Sequence, residues 1–252
     1  MIQIDRLPAF DDNYLWGMRE GQTAWVVDPG DGEVVLDWLD CHQLVLGGIL
    51  LTHHHADHIG GVETLLKRYP MAEVIGSKRN LVNASAPVSE GDVIDLLSRR
   101  FQVIEVPGHT LDHVAFVSMD PFPILFCGDA LFLAGCGRMF EGTPEQFQTS
   151  LARLQSLPAQ TMIYCAHEYT QANLEFAKTM LPDNRSVIDR LEQVKILRKN
   201  NVPTVPDRLE NELHTNPYFR LDDPVLMDVI GADENTSMAE RFARVRKAKD
   251  NA

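Results

Sequence analysis

The stretch that decides the fold is GILLTHHHADH, residues 48–58. Its first five residues are mostly apolar and end in a β-branched threonine, which predicts a strand buried on both faces of a sheet. The next six residues hold four histidines and one aspartate. Burying so many imidazoles and a carboxylate would be costly without a cation beside them. The run therefore predicts metal ligands at the end of a buried strand.

The backbone of an extended loop decides which of these side chains can share a metal. Successive residues alternate sides, so His53 and His55 point one way while His54 points away. Asp57 and His58 then face a different direction, which suits a second metal beside the first. Two ions about 3.5–4 Å apart can hold a bridging hydroxide and together polarise a carbonyl group. The run is thus predicted to be one half of a dinuclear site, with His54 outside it.

Other candidate ligands follow other predicted strands. Further strands are predicted at residues 101–106, 115–118, 124–127 and 162–165. His109, Asp129 and His167 each lie just beyond the end of one of them. Ligands of open α/β sheets bind beyond the carboxyl ends of the strands, so we expect these three residues to join the run. Imidazole and carboxylate suit zinc, iron or manganese. For the isolated His42 and His214, a structural role at a core position or a helix end is favoured.

The chain changes in character at about residue 170. Before it, short β-branched runs alternate with helical stretches, which is typical of a layered α/β domain. After it, residues 173–181, 187–199 and 238–249 have helical apolar spacing, and prolines separate them. We therefore predict an α/β domain at residues 1–168 and a small helical domain at residues 169–252.

Composition and charge narrow the function classes. The chain has 252 residues, 44% of them hydrophobic, and a formal net charge of -13. So acidic a chain is a poor partner for nucleic acid, whose phosphates are neutralised by Lys and Arg. Neither a signal peptide nor a membrane-spanning stretch is predicted. The four cysteines have no CxxC spacing, so we expect a protein of the reducing cytoplasm. We also expect a monomer.

Several short motifs surround the candidate ligands. HHHADH at residues 53–58, PGHT at 107–110 and GD at 128–129 resemble the metallo-β-lactamase superfamily. A second set narrows the resemblance: DDNY at residues 11–14, GCGRMFEGT at 135–143, CAHEYT at 165–170, NP at 216–217 and RKAKD at 246–250. With these motifs the chain resembles the glyoxalase II (hydroxyacylglutathione hydrolase) family over essentially its whole length. The resemblance implies an αββα sandwich followed by a C-terminal all-helical domain.

The resemblance also implies how the ligands are shared. One metal would be held by His53, His55 and His109. The second would be held by Asp57, His58 and His167, with Asp129 bridging both. We therefore expect two divalent ions per chain, zinc first, although iron or manganese would suit the same ligands. Asp57 would act in catalysis as well, by orienting the attacking hydroxide.

The same resemblance implies a glutathione site formed by Arg138, Phe140, Tyr169, Arg246 and Lys249. Glutathione carries two carboxylates, and Arg and Lys side chains are suited to bind them. From the residues alone, the cations near the C-terminus are better explained as a solvated helix face. The resemblance favours binding for Arg246 and Lys249. Relatives often have Lys at Arg138, Tyr at Phe140, and Gly at Asp112. Phe140 cannot donate a hydrogen bond, and the sequence suggests no role for Asp112.

The implied activity is hydrolysis of S-2-hydroxyacylglutathione thioesters, chiefly S-D-lactoylglutathione, in the second step of methylglyoxal detoxification. Asp28 and His113 are candidate neighbours of the ligating imidazoles, because a metal-bound imidazole usually donates its other N–H to a nearby group. Asp28 could equally be a turn residue. The alternatives are another hydrolase of the superfamily (a lactonase, a β-lactamase or a different thioesterase) and a mononuclear-iron sulfur dioxygenase. A long C-terminal helical segment favours the hydrolase over the dioxygenase. The acidic charge and the complete ligand set disfavour a nuclease or a non-catalytic relative.

Overall fold

The computed structural model describes residues 2–79 and 84–252. The chain divides into two units, one of Met1–Glu105 with Thr110–Gly128, the other of Val106–His109 with Asp129–Ala252. Four residues, 106–109, thus belong to the second unit although the chain on both sides of them belongs to the first.

The first unit begins with a six-stranded mixed sheet in the order β1-β2-β3-β4-β5-β6. Its strands are β1 Gln3–Ala9, β2 Asn13–Glu20, β3 Thr23–Val27, β4 Val45–Leu50, β5 Glu73–Ser77 and β6 Ala86–Val88. The first three strands pair antiparallel, and β3 to β6 pair parallel. Val27 lies opposite Leu50, so the carboxyl ends of β3 and β4 are side by side. This register brings Asp28 next to the start of the histidine run.

The helices of the first unit and its six-stranded sheet share one apolar core. They are α1 Gly32–Cys41, α2 Ala56–Ile59 and α3 Val62–Arg68. α1 begins at Asp31, whose carboxylate accepts hydrogen bonds from the backbone N–H groups of Glu33 and Val34. Trp38 packs on Gly17 of β2, where a Cβ atom would lie 2.6 Å from the indole ring. The apolar core of this unit includes Val26, Leu39, Ile49, Leu65 and Val74.

A run of antiparallel strands follows in the first unit. They are β7 Val93–Leu96, β8 Arg99–Glu105, β9 Val114–Ser118 and β10 Ile124–Gly128, and each pairs with the next along the chain. β9 and β10 are buried along their whole length, which explains their continuous apolar sequence. The strands predicted in this region are confirmed to within a residue or two at each end.

The second unit is mainly helical. It contains a short hairpin, β11 Leu131–Phe132 with β12 Gly135–Cys136, and a strand pair, β13 Met162–Cys165 with β14 Asp207–Arg208. Its helices are α4 Pro144–Gln155, α5 Thr170–Met180, α6 Arg185–Lys199, α7 Leu209–Thr215, α8 Pro224–Val229 and α9 Met238–Asp250, and a 3-10 turn spans Pro217–Phe219. Thr143 and Gln146 form a capping box at the start of α4.

Residues 129–168, predicted to belong to the α/β domain, lie in the same unit as the C-terminal helices. The reason is that α4 packs on α9 through Phe147 and Phe242, whose ring centroids are 5.4 Å apart. The C-terminal segment also contributes one short strand, β14, so it is not purely helical. The boundary between residues 168 and 169 stays a prediction. No helix among the described residues is long and apolar enough to cross a membrane.

Candidate metal centre and its cavity

The histidine run of the first unit begins just beyond β4. His53 Nε2 lies 3.2 Å from His55 Nδ1, and the ring centroids of His53 and His58 are 4.0 Å apart. Because α2 starts at Ala56, Asp57 and His58 leave the extended backbone on a helical turn. His58 Nε2 is 3.5 Å from Asp57 Oδ2. The structure thus brings the four candidate ligands of this unit together.

The Asp28 carboxylate contacts Thr52 and His58 and so fixes the position of the histidine run. Its Oδ1 accepts from the Thr52 backbone N–H at 2.7 Å, and its Oδ2 accepts from the Thr52 hydroxyl at 2.7 Å and lies 3.0 Å from His58 Nδ1. The Thr52 hydroxyl donates its proton to Asp28, so it can only accept from His53 Nδ1, 3.0 Å away. The carboxylate beside His58 Nδ1 likewise favours a proton on that nitrogen. Both rings are then left with an Nε2 lone pair, the state in which imidazole binds metal.

These protonation states make a cation suitable for the cluster. With only a lone pair, His58 Nε2 faces the ionised Asp57 Oδ2 as one acceptor faces another. Asn13 donates to the same Asp57 oxygen at 3.0 Å and fixes the direction of the carboxylate. The Asp57 main chain approaches Gly30 so closely that a Cβ atom there would lie 1.8 Å from the Asp57 carbonyl oxygen. A divalent ion would satisfy both facing acceptors.

Asp129 is the centre of a second cluster, in the second unit. Its Oδ2 lies 3.4 Å from His109 Nε2, and its Oδ1 lies 3.4 Å from His167 Nε2. His109 donates from Nδ1 to the Arg138 carbonyl oxygen at 2.7 Å, so its Nε2 again turns a lone pair toward a carboxylate. Only glycine fits at Gly137, where a Cβ atom would lie 2.1 Å from the Asp129 carbonyl oxygen. A carboxylate with one imidazole at each oxygen is suited to bridging two ions.

Three further histidines have other partners. His54 points away from the run, and its Nδ1 lies 2.9 Å from Asp112 Oδ1. His113 stacks on His53 with ring centroids 4.6 Å apart and planes 12° apart. His42 bonds a carbonyl oxygen of its own helix α1 at 2.9 Å. His113 thus contacts a candidate ligand, whereas His42 lies at a helix end.

A cavity of about 390 Å³ lies beside Asp129 in the second unit. It is lined by His109, Asp129, Phe132, Cys136, Arg138, Phe140, Tyr169, Ala172, Asn173, Arg246 and Lys249. The lining contains every residue of the predicted glutathione set. Tyr169 stacks on the candidate ligand His167, with ring centroids 4.7 Å apart and planes 5° apart. Phe140 is 61% exposed, and its ring centroid lies 5.3 Å from that of His109.

The cations of this cavity are not equivalent. Arg138 is largely exposed, and its Nε lies 3.6 Å from Asp250 Oδ1. The Lys249 ammonium donates to a backbone carbonyl of α5 at 3.2 Å, and burial together with the nearby Arg246 lowers its pKa. Arg246 is buried and donates to the Cys136 carbonyl oxygen at 3.1 Å and to Asp250 at 2.9 Å. Arg138 and Lys249 therefore offer charge to a ligand, whereas much of Arg246 is engaged in holding β12.

Buried polar side chains hold the hairpin that follows Asp129, and the sequence analysis assigned them no role. Asn173, Glu212 and Asn216 bond the backbone of residues 133–135 at 3.1, 2.6 and 3.0 Å. Glu212 in turn pairs with Arg190 at 2.7 Å. The one signal in the sequence was the NP motif that contains Asn216. These contacts fix the segment between Asp129 and the cavity cations.

Comparison with known proteins decides the family. Residues 168–252 match the family model "Hydroxyacylglutathione hydrolase C-terminus", and residues 15–82 match "Metallo-beta-lactamase superfamily". The hydroxyacylglutathione hydrolase of Pseudomonas putida (strain GB-1) is 49% identical over 99% of this chain and 99% of its own. This chain belongs to the hydroxyacylglutathione hydrolase family. Among solved structures, ETHE1 from Myxococcus xanthus matches with a TM-score of 0.67 at 25% identity, covering 97% of this chain and 90% of that one. TTHA1623, in a di-iron-bound form, matches with a TM-score of 0.59 at 25% identity, covering 82% and 94%.

Membership of the hydroxyacylglutathione hydrolase family confirms the predicted fold class, a metallo-β-lactamase sandwich followed by a C-terminal helical domain. It also confirms the predicted enzyme class, a metal-dependent hydrolase. The His and Asp side chains described above include groups able to hold a metal ion. Divalent metal binding is therefore supported both by the superfamily and by the chemistry of the donors.

Proposed function

We propose that the protein hydrolyses S-2-hydroxyacylglutathione thioesters, chiefly S-D-lactoylglutathione, to a 2-hydroxy acid and free glutathione. This reaction would be the second step of methylglyoxal detoxification. The observation that carries the proposal is the cavity in which His109 and Asp129 share a wall with Arg138 and Lys249. A dianionic thiol carrier needs cations, and a thioester carbonyl needs to lie near metal ligands. One cavity offers both.

The proposal includes two divalent ions per chain, most suitably zinc, with iron or manganese acceptable to the same donors. His53, His55 and His109 would hold one ion. Asp57, His58 and His167 would hold the other, and Asp129 would be shared. When bound, such a pair acidifies a water molecule and polarises the carbonyl group under attack. The donor chemistry supports metal binding, because His58 Nε2 and His109 Nε2 carry lone pairs that face the carboxylates of Asp57 and Asp129.

The protein's own residues would orient the reacting groups. Asp57, held by Asn13 at 3.0 Å, would accept a hydrogen bond from the attacking water and direct its lone pair. Asp28 and Thr52 would keep His53 and His58 in the ligating tautomer. The leaving group is a thiolate whose conjugate acid has a pKa of about 8.5, so it leaves without a dedicated general acid.

Substrate recognition would rest on cations for the carboxylates of glutathione and on aromatic rings for its peptide chain. Arg138 and Lys249 would bind the two carboxylates of glutathione. Tyr169 and Phe140 would pack against its peptide chain. Phe140 supplies contact area only, since it has no hydroxyl group to donate. Arg246 would act mainly through β12, because it already bonds Cys136 and Asp250.

The alternatives differ in what the C-terminal segment does. A lactonase or β-lactamase would have no use for a cavity lined by the cations Arg138, Arg246 and Lys249. Against a sulfur dioxygenase of this superfamily stands the C-terminal segment, residues 168–252, which matches the hydroxyacylglutathione hydrolase model. A cytoplasmic location belongs to the proposal as well, since the described cysteines form no disulfide bond with one another and a free-thiol product suits a reducing compartment.

The test is hydrolysis of S-D-lactoylglutathione by the purified, metal-loaded protein, followed as free thiol released. A matched substrate, the lactoyl thioester of N-acetylcysteamine, lacks both glutathione carboxylates. We expect kcat/KM to be at least about tenfold lower for it, because a hydrogen bond to a charged group contributes about 1.5–3 kcal/mol. Ordinary turnover of a β-lactam with none of the glutathione thioester would refute the proposal.

A further inference from the structure

Asp112 lies in a turn of the first unit and is 7% exposed. One of its oxygens, Oδ1, has two partners: the Thr110 hydroxyl donates to it at 2.7 Å, and His54 Nδ1 lies 2.9 Å from it. An ionised carboxylate can only accept, so Nδ1 of His54 carries the proton in this contact. Asp112 therefore ties the turn at residues 110–113 to the middle of the histidine run.

His54 stands between two candidate ligands. His53 and His55 turn toward each other, with 3.2 Å between His53 Nε2 and His55 Nδ1, while His54 turns to the opposite side. Fixing the His54 ring restricts the backbone torsions on both sides of it. Those torsions aim the two neighbouring rings. The same turn contacts the run a second time, because His113 stacks on His53.

The run has regular structure only at its two ends. β4 ends at Leu50 and α2 begins at Ala56, so residues 51–55 belong to neither element. Thr52 is fixed by Asp28, and the His55 carbonyl oxygen accepts from the α2 backbone at 2.9 Å. The contact between His54 and Asp112 fixes the stretch between these two points. Ligands already aimed at the metal lose little conformational entropy when it binds.

We propose that Asp112 is a positioning residue that holds residues 53–55 in their ligating conformation, through His54, before metal binds. The proposal rests on the proposed function in taking His53 and His55 as metal ligands. His54 is outside the proposed ligand set, so loss of the contact leaves the ligands themselves intact. The effect falls on affinity, and loss of an outer partner of this kind lowers metal affinity about 10- to 100-fold.

The experiment is a zinc titration of the apoprotein in competition with a chromophoric chelator. Wild type is compared with Asp112→Ala, His54→Ala, the double variant and Asp112→Asn. We expect each alanine variant to lose about 10- to 100-fold in affinity for at least one ion. The double variant should lose no more zinc affinity than the single variant with the larger loss, because both substitutions remove the same contact. Asp112→Asn keeps an oxygen acceptor and loses less. At saturating zinc, thioester hydrolysis by Asp112→Ala returns to near the wild-type rate.

Asp5→Ala is a matched control in the same unit. Asp5 accepts from Arg19 at 2.7 Å and from the Trp38 indole at 3.2 Å, so its loss should lower Tm and leave zinc affinity unchanged. Wild-type affinity in Asp112→Ala, or additive losses in the double variant, would overturn the proposal. If Asp112→Ala does not fold, the zinc affinities of His54→Ala and Asp112→Asn test the proposal in its place. A wild-type protein that binds neither zinc, iron nor manganese would contradict the proposed function instead.

Discussion

Replacing Glu212 with Gln probes the buried contacts behind the cavity. Glu212 is fully buried; its Oε1 lies 2.7 Å from Arg190, and its Oε2 accepts from Ala134 N–H at 2.6 Å and from Asn216 at 3.0 Å. Glutamine has the same shape but one acceptor oxygen instead of two. Whichever way its amide is turned, an NH2 group faces a donor, either Arg190 or the backbone N–H.

The cost follows from the charge left behind. Removing one partner of a buried ion pair destabilises a protein by about 3–5 kcal/mol. Arg190 keeps a second partner, Asp207, at 2.9 Å, so we expect the lower end, about 3 kcal/mol. In a chain of this size each kcal/mol lowers Tm by about 2–4 °C, which gives a fall of about 6–12 °C. The loosened hairpin should also raise KM for the thioester more than it lowers kcat, since the hairpin leads into Arg138.

The assay is thermal unfolding of metal-loaded protein by circular dichroism, with steady-state hydrolysis measured on the same samples. Glu210→Gln is the matched control, because Glu210 is exposed on the same helix and should change Tm little. A Glu212→Gln protein with the Tm of this control would show that the buried pair contributes nothing to stability. A lower Tm with unchanged KM would refute the link between the hairpin and the cavity.

Three further predictions concern the cavity. Burial lowers the pKa of Lys249, and a neutral amine cannot pair with a carboxylate. KM should therefore begin to rise with pH below the range in which an ordinary lysine loses its proton. Lys249→Arg should remove this rise, and a KM that does not change with alkaline pH would contradict the prediction. Phe140→Tyr should lower KM about 2- to 10-fold at constant kcat, because one new hydrogen bond contributes about 0.5–1.5 kcal/mol. An equal decrease of KM in Phe140→Leu would instead attribute the effect to packing. Gly137→Ala should lower the bound metal measured by elemental analysis, because its Cβ would displace Asp129; full metal content would refute the close approach.

The grouping of the candidate metal ligands is the part of the molecule that the sequence predicts best, for a physical reason. Strand ends can be recognised from short apolar runs, and ligands of α/β sheets gather beyond such ends. Alternation along an extended chain also separated His54 from its neighbours, and the structure has His54 turned toward Asp112. Strand ends and the alternation of side chains depend on residues that are close together in the sequence, so both can be predicted from it.

Contacts between distant segments could not be predicted in this way. Asp28 could equally have been a turn residue, and only the pairing of β3 with β4 brings it to Thr52 and His58. Arg246 lines the cavity, and the sequence does not reveal that its guanidinium also donates to the Cys136 carbonyl oxygen of β12. Glu212 and Arg190 gave no signal, since a buried ion pair looks like any two charged residues in a sequence. The proposed substrate comes from the resemblance to a family, because the spacing of ligands does not encode it.

The most direct test of the central claim is the metal content of Asp129→Ala beside that of wild type, measured after removal of loosely bound ions. Asp129 places one oxygen 3.4 Å from His109 and the other 3.4 Å from His167. If this carboxylate bridges two ions, wild type should hold two per chain and Asp129→Ala should lose both together, along with thioester hydrolysis. An Asp129→Ala protein that keeps two ions per chain would contradict the account.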